Sequence, residues 1–511
     1  MKAIRFVNLS FPLFVIFLLP ILISCEKKDD NDRDYVYFKD FTFEEPAVTG
    51  NTFYIDPATG SSDGNGSAEH PWRTLQEVIE GNLIECYRHS ENYDAGSPLE
   101  VMNEGATVKG GDRLILRNGY HGFVNLNNFI FKDWLTIAAQ EGHTPVLSRL
   151  KLEGAFEKVF LKSMTIIKDS YEGNENYWEA DEINHNTNAC LYLGSSDFWG
   201  KGSQVKLYGL TIKTTRDASA WIASDWIEKS ASGIVLRSAE KVEIVNCTVE
   251  NVRHGIIIEY FSDHCTAVNN SVNYYCADGS RIISNNVLFA HNTITGCLKV
   301  DDNHDDAIQS YTRGTDNTPG TGELSNVTIR GNLIIGIADK NHPLSGSPQG
   351  IGCFEGFFEN WIVENNVIIV NHYHGISFYG MRNSKIVNNT VIDQVPGDDI
   401  SPWIMITEHK SGARSSDCQV ANNIVSSVVS VSGFDVTESN NYVFGKSHYD
   451  SIYNAFVNPG ANDFHLLNNA FTQSTLINKG MIFNELLSSD MDKDMNSRNN
   501  QPDLGAYEAS E

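Results

Sequence analysis

The chain has 511 residues, with 65 acidic against 38 basic side chains and a formal net charge of −27. That balance excludes nucleic acid as a partner, because phosphate binding needs clustered Lys and Arg. A polyanionic substrate would in turn need a local basic or metal-bearing groove. Nine cysteines include no CxxC pair, which argues against a zinc site and for small buried thiols, with one or two disulfides still open.

In chain order, Lys2 and Arg5 precede the apolar run "FPLFVIFLLPILIS", which stops at Cys25 and gives way to "EKKDDNDRDY". The run is too short, and too abruptly followed by charge, for an ordinary membrane span. "LISC" resembles the lipoprotein signal pattern, and the acidic stretch after it resembles the surface-export signal of Bacteroidetes lipoproteins. This resemblance implies a signal peptide over 1–24, lipidation of Cys25 and a surface position on the outer membrane. The lipid would be the only membrane contact. Residues 25–50 then read as a flexible acidic linker and 51–511 as a single domain, expected to be a monomer.

"NTFYIDPATGSSDGNGSAEHPWRTLQEVI" reads as a strand, a Gly/Asp/Ser loop and a short helix beginning near Pro71. From about residue 230 the chain returns repeatedly to Asn followed by β-branched residues, at Asn246, Asn270, Asn292, Asn332, Asn366, Asn389 and Asn423. A second unit, a turn residue, Gly and alternating apolar residues, recurs as "SGIVLRS", "HGIIIEY", "DAIQSY", "QGIGCFEG" and "HGISFYG". Strands of three to five residues with an Asn at each turn point to an all-β, right-handed, single-stranded parallel β-helix with loop insertions. Asn suits the turn because it tolerates the left-handed conformation and can bond its counterpart in the next coil.

The opening segment, the coils "GDRLILRNGYHG" and "DWLTIAAQEGHTPVL", and the end "DFHLLNNAFTQSTLINKG…DMDKDMNSRNNQPDLGAYE" resemble secreted bacterial β-helix polysaccharide-active proteins. That resemblance implies an N-terminal cap helix, a C-terminal cap and a carbohydrate substrate. It leaves the reaction open among lyases, hydrolases and epimerases.

Alternation within each glycine unit sends positions two and four after the glycine outward. The outward set is then Val235 and Arg237, Ile257 and Glu259, Gln309 and Tyr311, Gly352 and Phe354, Ser377 and Tyr379. Arg237, Glu259, Gln309, Phe354, Arg382 and His409 are expected to bind substrate. Asp301, Asp302, Asp305 and Asp306 crowd one turn, where carboxylate oxygens suit a hard cation such as calcium, the alternative being a solvated acidic loop. For β-elimination of a uronic acid, His304, His374 or Lys410 would be the base. Tyr311 or Tyr379 would be the acid, with Arg313, Gln309 or calcium neutralising the carboxyl.

Three further resemblances are local. "NHDDA" resembles the Asp-Pro-His-Asp motif of alginate epimerases, with Asn303 at the proline's place. "TEHKSG" resembles the lysine-bearing strand of the chondroitinase B and alginate lyase group but lacks its downstream Arg-His-Gly unit. "ADG" at Asp278, "DDAI" at Asp305–Asp306 and "HGIS" at His374 resemble the polygalacturonase motifs in order. Here, however, His374 follows Asp306 by 68 residues instead of about one coil. β-Elimination is therefore ranked first, hydrolysis second, and a non-catalytic glycan-binding surface protein third.

Overall fold

The computed structural model describes residues 41–90, 97–170, 188–195, 201–314, 318–395, 399–445 and 449–510. The expected signal peptide, Cys25 and most of the expected linker lie outside them. Among the described residues the strands assemble into three long sheets of 15, 12 and 11 members. Within these three sheets pairing is parallel, apart from the hairpin Cys86–His89/Leu99–Met102 against the first of them; a separate pair, Phe456–Asn458 with Asp463–Leu466, is also antiparallel. Each turn of chain adds one short strand to each sheet, which is the parallel β-helix expected from the repeats.

The asparagine repeat divides two tasks between neighbours. Asn269, His291, Gly331, Asn365, Asn388 and Asn422 take positive φ, the left-handed bend that Asn and Gly tolerate best. The residue after each, Asn270, Asn292, Asn332, Asn366, Asn389 or Asn423, is buried and carries the ladder. Asn270 donates its backbone and side-chain N–H to Asn292 Oδ1, both at 2.9 Å, and Nδ2 also donates to Ile244 O. The same pattern repeats through Asn332, Asn366, Asn389, Asn423 and Asn441. Asn246 is the exception, because it takes the left-handed bend itself and Cys247 fills the ladder slot.

Inward positions are Ile, Val, Leu and Phe in one continuous core. All eight described cysteines are buried and unpaired. Burial pushes Cys190, Cys247, Cys265 and Cys276 up to about 12, so they are inert thiols.

At the N-terminal end, α1 (Leu75–Glu80) starts later than expected. Trp72 bridges to Ile55, and Thr74 caps the helix by accepting from Glu77 N. α1 buries Leu75 and Val78 in the core. Phe43 stacks on Tyr208 at 4.7 Å and Glu45 pairs with Lys162 at 2.5 Å, so the packed unit begins at Thr42, ahead of residue 51. The C-terminal segment lies along the side of the last coils. Phe456, Phe464, Leu504 and Tyr507 there cover Ile335, Val367, Ile369 and Ile392 of the 12-strand sheet.

Candidate active face on the 11-strand sheet

The 11-strand sheet collects the predicted residues, and its strands are numbered in chain order. They are β1 (Phe123–Asn127), β2 (Arg149–Glu153), β3 (Ala189–Gly194), β4 (Ser232–Arg237), β5 (Ile256–Glu259) and β6 (Ser280–Ile283). Then come β7 (Asp306–Tyr311), β8 (Gln349–Glu355), β9 (His374–Tyr379), β10 (Trp403–Thr407) and β11 (Val429–Val431). Ile234, Ile256, Ile308, Ile351 and Ile376 are core residues, so the alternation read from the glycines holds. The outward column in register is Val235, Ile257, Arg281, Gln309, Gly352, Ser377 and Met405.

The face is organised by a column that alternation does not reveal, the residue immediately before each glycine, or before Ala307 where that coil has no glycine. In successive coils it reads Ser232, His254, Asp278, Asp306, Gln349 and His374. Three of these residues bond the outward side chain three positions on. Arg281 Nε donates to Asp278 Oδ2 at 2.6 Å and Gln309 Nε2 to Asp306 Oδ2 at 3.0 Å, while His374 Nδ1 lies 2.8 Å from Ser377 Oγ. The column is also linked along its length. Ser232 Oγ is 3.2 Å from His254 Nδ1, His254 Nε2 is 3.8 Å from Asp278 Oδ2, and Asp278 Oδ1 accepts from Asp306 N at 3.2 Å. Gly352 is bare for a reason, since a Cβ there would lie 2.2 Å from Asp306 Oδ1.

Three carboxyls thus meet out of solvent. Burial lifts Asp278 above the ordinary carboxylate range against the pull of Arg281. Burial, and then the charge of Asp278, lift Asp306 well above it. Burial raises Asp305 to about 7, although Lys299 Nζ lies 3.1 Å away. Like charges at this spacing and depth do not ionise together without a proton or a cation between them. Asp305 Oδ1, Asp306 Oδ1 and Gln349 Oε1 are buried without a hydrogen-bond donor. Such an oxygen set suits a hard cation. The four aspartates of the turn do not assemble as one set. Asp301 faces Arg253 at 3.6 Å, Asp302 is exposed, and only Asp305 and Asp306 turn inward. Among the described residues no three His, Cys, Asp or Glu side chains are grouped to hold a metal.

Two coils on, His374 sits in an aromatic frame. Phe354 meets it edge-on at 4.9 Å, Trp403 at 5.2 Å, and His372 stacks on it at 5.5 Å. Ser377 Oγ accepts from Trp403 Nε1 at 3.1 Å. Burial, then the charges of His372 and His304, lower His374 to about 4, so its imidazole is neutral at pH 7. The charge of His304, exposed at the acidic turn, adds to the lowering of both His372 and His374. Phe354 stands in a bulge, because Ser310 pairs with Cys353 and Tyr311 with Glu355. Its ring meets Tyr379 at 5.1 Å as well as His374.

The remaining expected residues line the far edge of the strands. Glu259 is buried, its Oε1 accepting from Arg237 Nε at 3.0 Å and Nη2 at 2.6 Å, while its Oε2 has no hydrogen-bond partner. Arg237 and Arg313 flank the Tyr260 ring at 4.8 and 5.5 Å, and Tyr260 Oη lies 3.4 Å from Tyr311 Oη. Lys410 pairs with Glu355, Arg382 lies over Phe357 at 3.6 Å, and buried His409 packs on Phe357. These three stand beside the face, away from the carboxyls. Val235 and Ile257 point outward as expected but are covered by Tyr192. Sequence reasoning passed over His254, Arg281, Gln349 and Trp403, and used Asp278 only as a motif. The signal that finds five of the column's six members is the polar residue preceding each glycine, and Asp306 precedes Ala307 in the glycine's place.

A family model described as a right-handed beta helix region matches residues 232–403. No curated protein sequence matches the chain. Among solved structures, pectate lyase Pel9A is 14% identical over 91% of this chain and 98% of its own, with a TM-score of 0.43. A rhamnogalacturonan lyase is 12% identical over 77% and 87%, with a TM-score of 0.37. The A-module of mannuronan C-5 epimerase AlgE6 from Azotobacter vinelandii is 14% identical over 65% and 83%, with a TM-score of 0.40. The chain is an all-β, right-handed parallel β-helix.

Proposed function

We propose that this chain cleaves a uronic-acid-containing polysaccharide by β-elimination on the face formed by β6–β10. One observation carries the reading: a neutral imidazole, His374, in an aromatic frame two coils from three buried, proton-hungry carboxyls. Two coils amount to roughly 10 Å at the β-sheet spacing, within the reach of adjoining sugar units. His374, or His304 at the acidic turn, takes the proton alpha to the uronate carboxyl. The electron pair forms the C4–C5 double bond as the C4–O bond breaks, and Tyr379 or Tyr311 protonates the leaving oxygen. Gln309 and Arg313 offer donors to the carboxyl as it gains enolate character. Calcium, when bound by Asp305, Asp306 and Gln349, would neutralise that carboxyl. The same reading keeps the lipid anchor on Cys25, so that Cys25→Ser would release the chain from the outer membrane.

The test is digestion of a panel of uronate polymers, followed by ultraviolet absorbance of unsaturated uronates and by reducing ends. Both signals should rise together, and His374→Ala should lower the rate by roughly 100-fold or more. Hydrolysis is the second reading, favoured by Asp305, which at about 7 holds a proton to donate beside a second carboxyl. Reducing ends without absorbance would select it. Neither signal would leave a glycan-binding surface protein.

A further inference from the structure

We infer that the cavity at the upstream end of this face holds a further sugar unit of the same polysaccharide, a subsite four coils from the acidic turn. The inference rests on the reading that a polysaccharide lies along the face. The cavity, of about 370 Å³, is lined by Asn127, Asn128, Glu153, Gly154, Tyr192 and Gly194. That volume lies at the lower end of ligand-binding clefts, about 300–1,000 Å³.

Its position follows from register. Asn127, Glu153, Gly194 and Arg237 end β1, β2, β3 and β4 and stand in one column. The floor is two glycines in successive coils, and neither could carry a side chain. Gly154 has φ +70°, and a Cβ would lie 2.3 Å from Asn128 Oδ1. At Gly194 a Cβ would lie 2.1 Å from the Tyr192 ring, so the ring lies across the bare backbone. The wall atoms are amides, a carboxylate and a ring face. Asn125 Nδ2 donates to Glu153 Oε2 at 2.8 Å, Asn128 Nδ2 to Asn127 Oδ1 at 2.9 Å, and Ala155 N to Asn128 Oδ1 at 3.0 Å. These contacts hold the polar groups in place and leave Glu153 and the Asn127 amide nitrogen facing hydroxyl groups. An aromatic face beside fixed amides and a carboxylate is the chemistry that recognises a pyranose, whose C–H face stacks while its hydroxyls bond.

Charge is locally balanced, which an acidic protein needs if it is to hold a uronate. Lys151 Nζ lies 3.6 Å from Glu153, and Arg237 in the next coil answers Glu259. Between cavity and acidic turn the edge continues through Arg237, Tyr260, Arg313 and Tyr311. β3 to β7 is four rungs, about 19 Å at the sheet spacing, so a chain reaching both sites spans several sugar units.

The experiment compares wild type, Tyr192→Ala and Asn127→Ala on polymer and on the shortest oligosaccharide that is cleaved. Asn127 is exposed, so its variant tests the site without touching the cover over Val235 and Ile257. Expected is a kcat/KM on polymer lower by roughly tenfold for Tyr192→Ala and severalfold for Asn127→Ala, with the short substrate unchanged. Equal losses on both substrates, or no loss for either variant, would overturn the subsite. Mobility in gels containing the same polymer separates the two readings. Tyr192-dependent retardation without cleavage keeps the subsite and removes the lyase. Cleavage with retardation indifferent to Tyr192 and Asn127 keeps the lyase and removes the subsite, and no retardation of wild type by any polymer removes both.

Discussion

Asp305 and Asp306 carry opposite commitments in one turn, since the fold buries them while the proposed cation site would need their charge. Asp305 titrates at about 7 in the folded chain, against about 3.9 when unfolded. Folding therefore takes up a proton between those values. The stability this contributes is full below pH 4 and is lost as pH rises through 7. Asp305→Asn should flatten that slope and raise the thermal midpoint at pH 8 in chelator by about 1–3 °C, while activity falls. Calcium should raise the wild-type midpoint at pH 8 and leave it unchanged at pH 4, where the carboxyls are protonated. A midpoint indifferent to calcium at pH 8 would remove the cation from the site. A wild-type pH slope equal to that of the variant would remove the titration. At this scale the sequence was legible in part. The crowding at 301–306 drew attention to the turn, but charge density does not say which carboxylates face inward. Alternation also sends the residue before each glycine toward the core, whereas the chain bends at Gly279 and brings Asp278 against outward Arg281.

Each coil is specified by its own short pattern, which is why the solenoid can be read from β-branched runs and asparagines. The double asparagines show where reading stops. Asn365 and Asn366 look equivalent, yet one has φ +56° and the other is buried with its amide in the ladder. Asn366→Ala deletes four hydrogen bonds and takes from the buried Asn332 N–H groups and from Ile329 O their partner in the ladder. It should cost about 2–4 kcal/mol, read as a lower denaturation midpoint. Asn365→Gly keeps the left-handed bend but loses the Nδ2 bond to Met491 O and the Oδ1 bond from buried Arg498 Nη2, so it should cost about 1–2 kcal/mol. Equal costs for the two would refute the division of labour. The 68-residue gap from Asp306 to His374 is likewise an element-scale fact. It contains the whole of β8 and its loops, so His374 lies two rungs from the aspartates instead of one.

For the whole molecule, sequential coils were predictable and lateral docking was not, because repeats encode only nearest neighbours. The C-terminal segment along the 12-strand sheet, Phe43 on Tyr208 and Lys410 reaching Glu355 all join residues far apart in sequence. The long axis nevertheless sets how a polymer would be cut. Upstream of the acidic turn the face carries the cavity at Asn127–Gly194 and the Arg237–Tyr260–Arg313 stack. Downstream, in the coil after His374, it carries Trp403, on which Tyr373 stacks at 5.4 Å. Contacts on both sides of the reacting centre favour binding the middle of a chain over its end, because an end would leave one set unfilled. Cleavage should then be internal. In a viscometer, polymer solution should lose most of its viscosity while only a small fraction of bonds has been converted to unsaturated ends. Early products should be a ladder of mixed lengths. Viscosity falling only in step with released mono- or disaccharide would show that one end of the face is closed. Tyr192→Ala should shift the product ladder, since it weakens the grip on one side of the cut and leaves the other intact.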